Sequence, residues 1–226
     1  MTRMLASVSS LEEVALVLDA AVDIIDLKEP ASGALGALEI DLVKEIVEYV
    51  QKRCPVSATI GDLPMHPELI LRAVKAMAET GVDFIKIGFF PGGDWNSSVK
   101  SLLPLIQNGT NLIAVFFADN HIDLNCLFAL KNAGVKGVML DTMNKQSGSL
   151  TQVMSKTHLE QFVEQAKKHQ FICGLAGSLK LEDIPDLKLL EPDYLGFRGA
   201  LCLNQNRTAK LDSSAIAQIK KALKGS

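Results

Sequence analysis

Lysine and aspartate recur near the ends of short apolar runs in this chain: Lys28 in IIDLK, Lys86 in FIKIGF, Asp141 in GVMLDT and, with a guanidinium instead, Arg198 in YLGFRGAL. An ammonium group at the tip of a buried strand is unusual, because most lysines are solvated. Residues two apart on a strand share a face, so Asp26 accompanies Lys28 and is expected to neutralise part of its charge. Two ammonium groups facing one poorly solvated space each disfavour the other's charged form. The outcome is a neutral amine able to attack a carbonyl. One lysine as Schiff-base nucleophile and a second as proton shuttle is the arrangement a class I aldolase needs. Asp141 could orient or relay protons, and Lys145 follows four residues later on the MNKQSGSLT loop.

A second chemistry is suggested by FICGLAGSL and YLGFRGAL. Glycine lets backbone N–H groups approach an anion, and arginine can add a bidentate contact. Gly177, Ser178, Arg198, Gly199 and Ala200 are therefore the expected phosphate-binding set. The alternative is that the glycines only make tight turns and Arg198 pairs with a neighbouring carboxylate. Asp62 and Asp119 follow the third and fifth apolar runs and could line the same mouth or cap turns. His66, His121, His158 and His169 have no ligand spacing, so no metal is expected. Neither a GxGxxG nor a Walker A sequence is present, and no cofactor is expected.

These residues need a scaffold that brings distant strand ends together. Eight apolar runs, over 4–8, 24–28, 56–60, 84–89, 113–119, 137–142, 171–177 and 194–201, alternate with amphipathic stretches. Ser10 and Glu13 make a capping box ahead of one such stretch, and Gly81 closes another. Alternation of this kind implies a parallel sheet, and eight units in 226 residues match a small single-domain (β/α)₈ TIM barrel over residues 1–226. A doubly wound open sheet is the alternative. VDIIDLK, VDFIKIG, VKGVMLD and PDYLGFRG form a faint repeat, with intervals of 60, 54 and 56 residues between Asp23, Asp83, Gly137 and Asp193. Each interval holds two strand–helix units, so Lys28, Lys86, Asp141 and Arg198 fall on alternate strands and meet at the C-terminal face, where this fold builds its active sites.

Composition narrows the function classes. Hydrophobic residues make up 48% of the chain and aromatic ones 5%, which suits a globular core of small aliphatic side chains. The 23 basic and 26 acidic residues are scattered, with no basic stripe for nucleic acid or an anionic membrane. No apolar run reaches the roughly 18 residues of a membrane helix. The four cysteines, Cys54, Cys126, Cys173 and Cys202, show no CxxC spacing and read as reduced thiols in a cytoplasm. The expected partners are a phosphorylated small molecule and further copies of the chain in a homo-oligomer.

Taken together, IIDLKEPASGALGA, PVSATIGDLP, DFIKIG, VMLDT followed by Lys145, GLAGSL and GFRGA resemble the (5-formylfuran-3-yl)methyl phosphate synthase family, from about residue 4 to about residue 203. The resemblance implies a barrel enzyme that condenses two glyceraldehyde 3-phosphate molecules in methanofuran-type cofactor biosynthesis. It assigns the Schiff base to Lys28 and proton transfer to Lys86, and places Asp141 and Lys145 in the active site. Two phosphorylated substrates need two anion sites, and Arg207 or Lys145 is expected to serve the second. Another phosphosugar lyase or isomerase, or a phosphometabolite sensor without turnover, could use the same barrel.

Overall fold

A computed structural model describes residues 1–225. Its strands are β1 (Arg3–Val8), β2 (Ile24–Leu27), β3 (Val56–Thr59), β4 (Phe84–Gly88), β5 (Leu112–Phe117), β6 (Gly137–Asp141), β7 (Ile172–Leu175) and β8 (Tyr194–Phe197). Each pairs in parallel with the next, and β8 pairs with β1, which closes the barrel and leaves no sheet edge. The TIM-barrel expectation therefore holds over the open-sheet alternative.

The helices form where the sequence pattern places them. In Pro67–Ala78, proline starts the helix and Ile70, Val74 and Met77 fall on one buried stripe. The helix Leu11–Asp19 has only half of its expected capping box. The Ser10 hydroxyl accepts from the Glu13 N–H at 3.2 Å, but the Glu13 carboxylate accepts from the Ser9 N–H at 2.8 Å. Glu13 has a second task, described below. The segment after β4 forms the helix Trp95–Ser101, capped by the Asp94 carboxylate at the Ser97 N–H. Trp95 packs beside Phe89 with ring centroids 6.2 Å apart and serves as an anchor.

The internal repeat has a physical cause. Asp23, just ahead of β2, accepts the Met4 N–H of β1; Asp83, ahead of β4, accepts the Val56 N–H of β3; Asp193, ahead of β8, accepts the Cys173 N–H of β7. In each case a carboxylate satisfies a strand donor at the N-terminal end of the barrel, where the ladder supplies no acceptor. The register makes Lys136, not Gly137, the sixth-strand counterpart of these aspartates.

Correct alignment of the repeat fixes the levels of the interior. Alternate strands of an eight-stranded barrel contribute side chains to common layers, with a stagger of about one residue per strand. Following the strand registers, Asp26, Lys86, Met139 and Gly196 share one level. Lys28, Gly88, Asp141 and Arg198 lie one level nearer the C-terminal mouth. Below both, Ile24, Phe84 and Tyr194 join Leu5 and Ile113 in an apolar plug.

Candidate active site

The deeper level holds a fully buried ion pair. Lys86 Nζ stands 2.8 Å from Asp26 Oδ1, and the two side chains are 2% and 1% exposed. Ser57 Oγ donates to the same Asp26 oxygen at 2.7 Å, and Ser7 Oγ donates to the other at 2.9 Å. Lys86 has fewer partners, since its next polar neighbour is the Met139 sulfur at 3.8 Å. Burial depresses the Lys86 pKa below the ordinary lysine value; Asp26 opposes that shift and Lys28 adds to it.

The upper level holds a shared carboxylate. Lys28 Nζ approaches Asp141 Oδ2 at 3.3 Å, while Lys145 Nζ donates to Asp141 Oδ1 and to the Thr142 carbonyl. Burial alone would raise the Asp141 pKa, but Lys145 and Lys28 outweigh it and hold the carboxyl well below the usual range. Burial lowers Lys145 to about 8, with Asp141 opposing and Lys28 assisting. Asp26 thus does not neutralise Lys28, as its place on the same strand suggested. Residues two apart on one strand belong to successive levels, so each pairs across the barrel: Asp26 with Lys86, and Lys28 with Asp141.

Above these groups lies a cleft of about 380 Å³ lined by Lys28, Lys86, Asp141, Lys145, the Gly177–Lys180 turn and the Arg198–Ala200 turn. Gly177 adopts φ +111°, and a Cβ there would stand 2.8 Å from the Thr142 side chain. Ser178 follows at φ +48°. Among the described residues, the N–H groups of Gly177, Ser178, Gly199 and Ala200 donate to no protein acceptor. The cleft therefore presents open backbone donors next to three lysines, which suits an anionic substrate carrying a carbonyl.

Arg198 does not offer the bidentate face expected of it. Its guanidinium pairs with Glu13 at 2.6 and 3.0 Å. The remaining N–H groups reach the carbonyls of Arg207, Ser7 and Ala209. All five donors are taken. The carboxylate pairing considered as the alternative is what the fold adopts, because the helix Leu11–Asp19 brings Glu13 beside the end of β8. Asp62 and Asp119 act as loop braces. Asp62 accepts from the Ala34 and Leu35 N–H groups at 2.8 and 2.6 Å, and Asp119 from those of Met143 and Asn144 at 2.8 and 2.7 Å. Ser7 and Ser57 were missed in the sequence, although each is a hydroxyl inside an otherwise apolar run.

The chain matches the 4-HFC-P synthase family model over residues 4–220. It is 32% identical over 233 residues to the (5-formylfuran-3-yl)methyl phosphate synthase of Methanocaldococcus jannaschii, covering 98% of this chain and 99% of that one. A Methylorubrum extorquens protein provisionally given the same name is 40% identical over 222 residues, covering 98% and 92%. Among solved structures, 3-hexulose-6-phosphate synthase from Salmonella typhimurium shares the fold with a TM-score of 0.73 at 16% identity, covering 98% of both chains. With near-complete coverage by the family model and by named synthases, the chain belongs to the 4-HFC-P synthase family.

Proposed function

We propose that the chain is a carbon–oxygen lyase that condenses two glyceraldehyde 3-phosphate molecules into (5-formylfuran-3-yl)methyl phosphate, in methanofuran-type cofactor biosynthesis. The sum balances with release of one phosphate and two waters, without oxidant or reductant. The observation that carries this reading is the grouping of two buried lysines and a partly buried third on two carboxylates beneath an open set of backbone N–H donors.

Lys28 is the nucleophile. It is the lysine at the level of the mouth, and its carboxylate partner is shared with Lys145, so one acid serves two amines. Nucleophilic attack needs Lys28 as the free amine. The neutral amine adds to a triose phosphate carbonyl and expels water to give an iminium. The iminium acidifies the adjacent carbon, and its proton passes to the Lys86–Asp26 pair one level below. Carbon–carbon bond formation with the second triose, loss of phosphate, ring closure with release of the Lys28 amine, and dehydration complete the furan. Asp141 holds Lys28 and Lys145 in place, while Asp26 does the same for Lys86. The N–H groups of Gly177, Ser178, Gly199 and Ala200 bind one substrate phosphate, and Arg198 supports that turn from behind.

The test is direct. Incubation with glyceraldehyde 3-phosphate should generate a furan chromophore and one phosphate per furan. Borohydride added with substrate should leave a mass adduct on the Lys28 peptide, absent in Lys28→Arg, since arginine cannot form the imine. Furan formation with no trapped lysine would refute the Schiff base. An adduct on Lys86 or Lys145 would reassign the roles.

A further inference from the structure

Two phosphorylated trioses carry two phosphates, and the backbone donors after β7 and β8 account for one. Arg198 cannot serve the other, because Glu13 and three carbonyls consume its donors. Lys145 is engaged by Asp141 and Thr142. Arg207 is different. It lines the same cleft, half-buried, on the segment that follows β8. Among the described residues its one side-chain hydrogen bond runs from Nη2 to the Gly33 carbonyl at 2.9 Å, on the loop after β2. Among the described residues it forms no ion pair within 4.0 Å, although Glu29, Asp62 and Asp141 lie within its electrostatic reach. Nε and Nη1 are left for a ligand.

The support for this side chain is elaborate for a surface arginine. Arg198 Nε donates to the Arg207 carbonyl at 2.8 Å and Nη2 to Ala209 at 3.4 Å, so Glu13, through Arg198, fixes the segment that presents Arg207. At the tip, Gly33 is itself held against Asp62, whose carboxylate takes the next two N–H groups. Arg207 therefore spans from the β8 side of the mouth to the loop after β2. We infer that Arg207 is the binding residue for the second phosphate monoester, with Arg198 as its positioning residue. This deepens the reading above: one phosphate sits on backbone donors and the other on a guanidinium that reaches toward the loop after β2.

The inference is tested without turnover, by calorimetric titration of the full chain with inorganic phosphate. The wild type should take up two phosphates and Arg207→Gln one, while Arg207→Lys, which keeps the charge, should retain the second more weakly. The glutamine amide preserves a donor for the Gly33 carbonyl, and a melting curve checks its fold. With glyceraldehyde 3-phosphate, KM in Arg207→Gln should rise about 10- to 100-fold, the range for losing one charged hydrogen bond. A single phosphate on the wild type, or unchanged binding in Arg207→Gln, overturns the assignment. Two phosphates bound without furan formation would instead overturn the proposed reaction and leave the anion site standing.

Discussion

Asp26→Asn separates a buried ion pair while keeping the shape of the site. The asparagine leaves Lys86, 2% exposed, with no counter-ion within 4.0 Å among the described residues. Removing one partner of a buried pair costs about 3–5 kcal/mol. For a domain of this size that corresponds to a fall in Tm of about 6–20 °C. The loss should depend on pH with a defined sign. The folded-state pKa of Lys86 lies below its ordinary 10.5, so the unfolded chain binds more protons between the two values and stability rises with pH there. Without Asp26 that pKa falls further. The window widens toward acid, and the gap to wild type should narrow as pH rises, by up to about 1.4 kcal/mol per unit. Lys86→Met should cost less, because Asp26 keeps the Ser7 and Ser57 hydroxyls, worth about 1 kcal/mol each. Urea denaturation followed by circular dichroism from pH 6 to 10 measures all three proteins. An Asp26→Asn loss below about 1 kcal/mol, or one that grows with pH, would show that Lys86 does not depend on this carboxylate.

Lys145, lowered to about 8, should give the activity profile a limb near pH 8, and Lys145→Arg should abolish that limb because arginine does not titrate there; an unchanged limb removes Lys145 from the titration. Its depressed pKa also means that folding stability attributable to Lys145 increases from about pH 8 toward 10.5. Gly177→Ala forces a Cβ against Thr142 at φ +111°, so it should cost about 1–3 kcal/mol and weaken competitive inhibition by phosphate; a variant as stable and as phosphate-sensitive as wild type would dissolve the anion turn.

The barrel was legible in the sequence because its strands are short, apolar and evenly spaced, and because aspartates precede three of the four even strands. The alignment of that repeat was off by one residue at the sixth strand. With VKGVMLD set against VDIIDLK position by position, Asp141 falls opposite Lys28 and Met139 opposite Asp26, and Lys86 drops one level below. The layering was therefore written in the repeat and hidden by the choice of Gly137 as its anchor. The partners of Arg198 were not legible in the same way. Glu13 lies 185 residues away, in a capping sequence that has a sufficient local explanation, and only the closure of β8 onto β1 brings the two together.

That closure bears on how one barrel can hold three lysines in a space this dry. If every amine were protonated, two carboxylates would leave one positive charge uncompensated, and burial penalises that charge most where water is scarcest. The Lys86–Asp26 pair is matched one to one at the floor of the cleft; the surplus therefore belongs to the upper level, where Lys28 and Lys145 share Asp141. A surplus at the mouth can be relieved in two ways: by loss of a proton, which supplies the neutral amine that the proposed chemistry needs, or by arrival of a phosphate dianion. The two responses oppose each other, since a bound dianion favours the protonated amines. Holding phosphate on backbone N–H groups and on Arg207, away from the lysine nitrogens, keeps substrate binding from suppressing its own nucleophile. A phosphate seated directly on Lys28 or Lys145 would raise the limb near pH 8, whereas phosphates held on the flanks should leave it within a few tenths of a unit; the pH profile at saturating and at low substrate distinguishes the two arrangements.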